Sequence, residues 1–224
     1  SLLIVSCRGH RSEKEPIHMN PNLDWQPKFN AQRLVMDPPE NAIPFGNDSI
    51  ISDNFSDSKG GGIWLGSLSD LSITKTLITS NYSDGFGGGL FNSLSTLQIN
   101  QCTIASNIVS PSVSGAGIYS DGGDSYIHNS IIYFNRQEGS LSNNHNLNGY
   151  SSFYFFEYDI QYSNIEGDIG WVPFGEGVIS INPEFNQDSY NLTELSPCID
   201  SGNPLYLDPD NTTIDMGAYY YHQD

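Results

Sequence analysis

The amino-acid sequence predicts an all-β protein: a right-handed parallel β-helix of about five coils that follows an irregular amino-terminal extension. Three similar stretches support this prediction, because each combines an apolar-alternating strand, an Ile-x-x-Asn motif and a glycine-rich triplet. The asparagine recurs at spacings of 27, 26 and 28 residues, at Asn54, Asn81, Asn107 and Asn135. Repeats of this length are typical of stacked solenoids, in which each unit pairs with its neighbours.

The strand in each repeat has the pattern Ile-x-x-(Thr/Cys/Ser)-x-Ile. It occurs in residues 71–78, 97–104, 126–132 and 159–165. This pattern indicates a strand interrupted by a small residue, and it lacks the apolar periodicity of a helix. A second short strand follows each glycine-rich turn, because glycine tolerates positive φ. Short strands in units of about 27 residues describe coils that pair with one another along an axis.

Two sets of aligned residues are predicted to be structural. The four asparagines would lie above one another at one turn and form a hydrogen-bonded ladder. The alternative is that asparagine is simply common in the turns of an Asn-rich chain. Cys102 aligns with Thr76 and Ser130, which predicts a small buried side chain at that position.

The net charge of −18 belongs to the repeat region. Residues 47–224 carry 21 acids and only three bases: Lys59, Lys75 and Arg136. Such a surface repels nucleic acid and anionic lipid. The acidic balance therefore predicts a soluble, secreted protein with no nucleic-acid partner. The protein is expected to be a monomer.

The three cysteines form no recognisable framework. Cys7, Cys102 and Cys198 lack the spacing of a metal knuckle or a set of disulfides. A bridge between Cys102 and Cys198 is an alternative that stacked coils disfavour, because they would hold the two residues far apart.

The amino-terminal residues predict export and anchoring. Residues 1–6 read as the remnant of a signal peptide, and Ile4 to Cys7 fits the bacterial lipobox, which makes Cys7 a lipidation site. The alternative is a buried first strand. Residues 7–46 contain six prolines and predict an extended Pro/Asn-rich linker. The expected location is the bacterial outer membrane or cell surface, with membrane contact only through a lipid anchor.

Residues 7–46 also resemble a known protein segment. Cys7–Phe29 and Met36–Gly46 are similar to the amino-terminal lipoprotein segment of the mono-haem cytochrome c subunit of bacterial alternative complex III. The Cys-x-x-Cys-His haem motif of that family does not occur in this sequence, so haem binding is not carried over. Two interpretations remain: a reused lipoprotein stalk, or two unrelated fragments joined in one sequence.

The carboxy-terminal residues carry a second resemblance. Ile181–Phe185, Ser196–Pro204 and Ile214–Tyr219 resemble the closing coil of the pectate-lyase-like superfamily, in its bacterial secreted and surface-anchored branch. With the repeats, the likeness covers residues 47–219. It implies a β-helix domain over 47–224 with a closing segment, in which residues 201–210 and Gly217 end the strand ladder and protect its open edge.

The resemblance implies two possible kinds of catalysis, because enzymes with this fold use either Ca²⁺ with a basic residue or a pair of carboxylates. None of the three bases matches a catalytic motif. The candidate catalytic carboxylates are Asp121, Asp124, Asp159 and Glu166. Asp121 and Asp124 are also candidate Ca²⁺ ligands, although they do not fit an EF-hand loop. The alternative is that aspartates in such turns only cap backbone amides. No other cofactor is predicted.

These observations favour a non-catalytic surface module that binds a polysaccharide or a cell-surface glycan, or that mediates adhesion. The alternative is a calcium-dependent polysaccharide lyase or a glycoside hydrolase. About five coils form a short groove for an enzyme that acts on a polymer, and the fold alone does not settle function. The aromatic run 153–158 has two interpretations, a sugar-binding surface and a buried strand.

Overall fold

The computed structural model describes residues 49–140, 146–149, 156–167, 175–186 and 189–223. The proposed signal-peptide remnant, Cys7 and the linker 7–46 lie outside these ranges. The described residues form short β-strands and no helix, so none of their elements could span a membrane as a helix. The strands are β1 (Ser49–Ser52), β2 (Phe55–Ser56), β3 (Ile63–Leu65), β4 (Asp70–Thr74), β5 (Thr76–Thr79), β6 (Tyr82–Ser83), β7 (Leu90–Ser93), β8 (Thr96–Asn100), β9 (Thr103–Ala105), β10 (Ile108–Val109), β11 (Ile118–Asp121), β12 (Gly123–His128), β13 (Ile131–Tyr133), β14 (Arg136–Gln137), β15 (Leu147–Gly149), β16 (Phe156–Gln161) and β17 (Asn164–Ile165).

The strands assemble into four parallel sheets that run along one axis. Sheet I has the order β1-β5-β9-β13-β17, sheet II β2-β6-β10-β14, sheet III β3-β7-β11-β15 and sheet IV β4-β8-β12-β16. Each strand pairs in parallel with the strand four places further along the chain. This arrangement confirms the all-β parallel β-helix. Sheets II, III and IV are four strands deep and sheet I is five strands deep. The stack is shorter than the predicted five coils, because the regular alternation of sheets ends at β17.

The corners of each coil are made by residues with positive φ. At the corner between sheets IV and I these residues are Lys75, Gln101, Asn129 and Tyr162, and at the corner between sheets I and II they are Asp53, Ser80, Ser106 and Phe134. Glycines take this role between sheets II and III, at Gly60, Gly87 and Gly115. The last glycine of the triplet Gly87–Gly89 has a different role, because it lets neighbouring coils approach closely. A Cβ on Gly89 would lie 2.7 Å from the carbonyl oxygen of Gly117 in the next coil.

Aliphatic rows fill the interior of the stack. The two isoleucines of the repeat pattern lie in register from coil to coil, and the rows contain Ile73, Ile99, Ile127 and Ile160, and Ile78, Ile104, Ile132 and Ile165. Each of these side chains is buried, which contributes about 1.5–3 kcal/mol of transfer free energy per residue. The core therefore repeats with the sequence.

The aligned asparagines are hydrogen-bonded to one another along the axis. The side-chain amide of Asn54 donates to Asn81, that of Asn81 to Asn107, and that of Asn107 to Asn135, each over 2.9 Å. Asn135 then donates to the side chain of Asn146 over 2.8 Å. This row of residues is the asparagine ladder, and three of its members are fully buried: Asn81, Asn107 and Asn135.

A second row runs along the corner between sheets IV and I. The hydroxyls of Thr76, Ser130 and Ser163 donate to the carbonyl oxygen two residues earlier, over 2.6 to 2.8 Å. The thiol of Cys102 occupies the same place and donates to Asn100 over 3.3 Å. All members of this small-residue row are buried, which explains why the repeat admits only a short side chain here.

Residues 175–186 and 189–223 form the carboxy-terminal segment. Ile179 is bridged in parallel to Asn164 at the edge of sheet I, and later residues of the segment pack on the outer face of that sheet. Ile131 of β13 forms a cluster with Leu192, Cys198 and Met216. The amide of Gly217 donates to the carbonyl of Asn129 over 2.9 Å, so Gly217 lies against the corner between sheets IV and I. The segment covers outward-facing Ile131, which would otherwise be an exposed apolar surface.

Candidate functional site

Asp124 and Asp159 lie on the outer face of sheet IV. Asp124 of β12 is exposed and pairs with Glu157 of β16. Asp159 pairs with Tyr126 and accepts a hydrogen bond from the side chain of Gln161 over 3.1 Å. Neither carboxylate lines the depression of about 560 Å³ on this face, to which Tyr126 contributes.

Asp121 lies on a different sheet and has a basic partner. It ends β11 of sheet III, and its carboxylate is 4.0 Å from the Nζ of Lys59. Lys59 also lies 4.4 Å from the ring centroid of Phe91, in cation–π range. Both charged side chains remain partly exposed, so the ion pair contributes at most about 1 kcal/mol.

Glu166 is buried and extends the asparagine ladder. Its Oε2 accepts a hydrogen bond from the backbone amide of Phe134 over 2.6 Å and another from the side chain of Asn146 over 3.1 Å. These contacts place the carboxylate inside the stack. Its geometry is that of a structural acceptor.

The four candidate carboxylates therefore do not meet at one site. Asp121 belongs to sheet III, Asp124 and Asp159 to the outer face of sheet IV, and Glu166 to the interior. In the part of the chain that the structure describes, no group of three or more His, Cys, Asp or Glu residues is arranged to hold a metal ion. The pair Asp121 and Asp124 is thus not accompanied by a third such ligand.

The two described cysteines are free and buried, so no disulfide joins them. Burial raises the pKa of the Cys102 thiol to about 12. Burial is also the main cause that raises the pKa of Cys198 to about 11, against the opposing effect of the Asn164 side chain. Neither sulfur is poised as a thiolate nucleophile.

The structure forms a cleft on another surface, between sheet I and the carboxy-terminal segment. It has a volume of about 660 Å³, within the range of small-molecule sites. We call it the lateral cleft. Its described lining residues are Ile50, Leu77, Ser106, Phe134, Phe185, Asn186, Ser189, Tyr190, Asn191 and Tyr219.

A short hairpin of the carboxy-terminal segment forms one wall of the lateral cleft. Phe185 and Leu192 are bridged in antiparallel fashion, and the amide of Asn186 donates to the carbonyl of Asn191 over 2.9 Å. The hydroxyl of Thr79, on the outer face of β5, donates to Tyr190 Oη over 2.6 Å. This bond ties the hairpin to sheet I and fixes the width of the cleft.

Aromatic rings line the cleft in a chain of edge contacts. The ring centroids of Phe134 and Phe185 are 6.4 Å apart, and those of Phe185 and Tyr190 are 5.4 Å apart, with planes at 60° and 75°. Tyr133 supports Phe134 from the side at 4.8 Å. Phe134 is 40% exposed, so its ring is available to a ligand.

Polar groups surround these rings. Asn186 and Asn191 are exposed, and Ser106 and Ser189 are half-buried. The side chain of Asn191 is held by Ser189, whose Oγ accepts its amide over 2.8 Å. The cleft therefore offers amide and hydroxyl groups at fixed positions next to apolar ring surfaces.

The sequence patterns did not indicate the residues of the lateral cleft. One signal was present: the corner occupied by Asp53, Ser80 and Ser106 in earlier coils carries Phe134 in the next one. A large apolar residue at a polar corner position indicates a covered or functional surface. In the aromatic run 153–158, Tyr158 packs against the core, and residues 153–155 lie outside the described ranges.

No protein-family model, no curated protein and no solved structure matches the chain. The fold and the cleft define the class as a parallel β-solenoid protein with an aromatic-lined cleft on its side.

Proposed function

We propose that this chain is an exported bacterial surface β-helix protein, related to the pectate-lyase-like superfamily, that binds a polysaccharide or cell-surface glycan without cleaving it. The observation that supports the proposal is the lateral cleft, in which aromatic rings and amide groups face the same space. Anchoring through a lipid on Cys7 and a monomeric state belong to the same proposal.

The chemistry of the cleft suits a sugar. Aromatic rings stack on the apolar faces of sugar rings, and Phe134 and Tyr190 supply such rings. Amide side chains both donate and accept hydrogen bonds, as sugar hydroxyls require, and Asn186 and Asn191 supply these groups. The rigid stack beneath holds the wall residues in place, which lowers the entropic cost of binding.

An enzymatic function has less support. A lyase or a hydrolase needs carboxylates or a cation placed around one bond, whereas Asp121, Asp159 and Glu166 occupy three separate environments. The calcium-dependent form would need further ligands beside Asp121 and Asp124.

Binding to an immobilised glycan panel, followed by calorimetry on each positive glycan, tests the proposal. Phe134→Asn removes the exposed ring and keeps a residue that tolerates positive φ, so it should weaken binding at least about tenfold. Asn191→Ala should weaken it by about fivefold, as expected for the loss of one or two hydrogen bonds.

The matched control is Tyr206→Ala, which removes an exposed aromatic side chain that does not line the lateral cleft. Its affinity should equal that of the unaltered protein. Equal loss in Tyr206→Ala and Phe134→Asn would show that binding does not use the cleft.

Turnover is measured on the same glycans. The proposal expects no new reducing ends and no ultraviolet absorbance from unsaturated sugars. Cleavage of a glycan that is lost in Asp124→Asn or Asp159→Asn would show that the protein is an enzyme and would overturn the proposal of binding without cleavage.

The lipid anchor is tested separately by expression with a radiolabelled fatty acid. Cys7 should carry the label and Cys7→Ser should not. Equal labelling of both would contradict lipidation at this residue.

A further inference from the structure

We infer that the lateral cleft selects an uncharged oligosaccharide over uronate and amino-sugar polymers. This inference rests on the proposed function, because it names the class of glycan that the same cleft would bind.

The first observation is the absence of charge among the described residues that line the cleft. All of them are aliphatic, aromatic, amide or hydroxyl residues: Ile50, Leu77, Ser106, Phe134, Phe185, Asn186, Ser189, Tyr190, Asn191 and Tyr219. They belong to a domain in which 21 acids outnumber three bases over residues 47–224. The described lining of the lateral cleft is therefore neutral, on a strongly acidic molecule.

This charge distribution disfavours an anionic ligand. A uronate polymer would carry one carboxylate per sugar into the field of the acidic domain. None of the described lining residues is a lysine or an arginine that could pair with such a carboxylate.

It also disfavours a cationic ligand at the cleft itself. An ammonium group buried against aromatic and amide side chains loses hydration, and the described lining residues provide no carboxylate in compensation. Long-range attraction by the acidic domain would bring such a polymer to many surface sites, without preference for the cleft.

The second observation is an adjoining cleft of about 340 Å³, which shares Asn191 and Tyr219 with the lateral cleft. It contains the cation Lys75, but the carboxylate of Asp208 lines the same space. The positive charge of Lys75 and the negative charge of Asp208 offset each other, so the adjoining cleft does not attract an anionic ligand. Because the two clefts are continuous through shared residues, the ligand that fits both is an oligomer.

The test compares three oligosaccharides of equal length by titration calorimetry on the full chain: a neutral β-glucan, an oligogalacturonate and a glucosamine oligomer. The neutral oligomer should bind most tightly, and its affinity should change less than about twofold between about 50 mM and about 500 mM salt, because no ion pair is screened. Phe134→Asn should weaken this binding at least about tenfold.

A variant with one added negative charge tests the selectivity of the cleft directly. Asn191→Asp preserves the shape of the side chain and adds one negative charge to the cleft. For the neutral oligomer we expect at most about a threefold change relative to Asn191→Ala. For the glucosamine oligomer we expect tighter binding at low salt only.

The outcomes separate the inference from the proposed function. Tightest binding of the oligogalacturonate or the glucosamine oligomer, lost in Phe134→Asn, would overturn the inference and leave glycan binding at this cleft intact. Binding of none of the three, or binding that Phe134→Asn does not weaken, would overturn both.

Discussion

The coils and the carboxy-terminal segment of this protein are stabilised in different ways. In the coils the aligned asparagines meet a like group one coil away, and the partners from Asn54 to Asn135 are 26 to 28 residues apart. In the carboxy-terminal segment the partners are distant and dissimilar, such as Ala218 with Thr103, which are 115 residues apart. Repetition gives the coils many equivalent contacts, whereas the segment depends on a few individual ones.

The lateral cleft, where we propose that a glycan binds, lies where these two regions meet. The coils supply a rigid floor with Leu77, and the segment supplies the walls with Phe185 and Tyr190. A cleft of this kind cannot arise in the repeat alone, because a repeated surface is flat along the axis.

The largest expected effect comes from breaking the asparagine ladder. Asn107→Ala leaves the backbone amide and the side-chain amide of Asn81 without their acceptor in the interior. Each unsatisfied buried donor costs about 1–3 kcal/mol, so the free energy of unfolding should fall by about 4 kcal/mol in urea denaturation. The exposed Asn182→Ala is the control and should cost less than about 1 kcal/mol. Similar costs for the two variants would contradict the structural role of the ladder.

A core substitution in the carboxy-terminal segment should have a smaller and more local effect. Met216 is fully buried in the cluster on sheet I, and Met216→Ala should cost about 3 kcal/mol. Hydrogen exchange should show lower protection in the segment and unchanged protection in β5, β9 and β13. Leu205→Ala, at an 83% exposed position, is the control. Equal loss of protection in coils and segment would show that they unfold as one unit.

The stability of the segment should also depend on pH. Burial first, and then the charges of Asp208 and Asp200, raise the pKa of Asp215 to about 6, although backbone hydrogen bonds from Tyr221 and Asp200 lower it. The native state therefore holds this proton more tightly than the unfolded chain, whose pKa is near 3.8. Stability is highest at low pH for this group and falls as the pH rises from about 4 to about 6, by at most about 3 kcal/mol.

Thermal unfolding across this pH window measures the effect. Asp215→Asn removes the titrating group and should flatten the curve between pH about 4 and about 6. An equally steep curve in the variant would assign the pH dependence to other acids.

The smallest effect is expected in the small-residue row. Cys102→Ser should change stability by less than about 1 kcal/mol, because a serine hydroxyl can donate to Asn100 as Ser130 donates to His128. Cys102→Val adds volume without a donor and should cost about 1–3 kcal/mol. A greater loss for serine than for valine would show that this position selects for apolarity and not for a short donor.

Much of the fold could be predicted from the sequence because the repeat carries its own register. The spacing of Asn81 and Asn107 gives the coil length, and the Ile-x-x-(Thr/Cys/Ser)-x-Ile pattern gives the inward-facing positions. The number of coils was overestimated, because residues 159–165 belong to the last strands of sheets IV and I, β16 and β17, and no regular coil follows them. The non-glycine corners, such as Lys75 and Phe134, carry no turn signal in the sequence.

The candidate site could not be predicted in the same way. Asp121, Asp124, Asp159 and Glu166 are noticeable in the sequence as carboxylates in irregular stretches, but their environments depend on which sheet and which face each one occupies. Glu166 shows this most clearly, since its carboxylate accepts from Asn146 inside the stack.

The sequence by itself determined the coil, its core rows and the positions of its buried polar rows, because these contacts repeat between neighbouring coils. Only the tertiary structure decided where the carboxy-terminal segment packs and which residues form the lateral cleft. Contacts such as that of Thr79 with Tyr190 join residues 111 positions apart and occur once. A contact that is made only once leaves no period in the sequence, so its location follows from the packing of the whole chain.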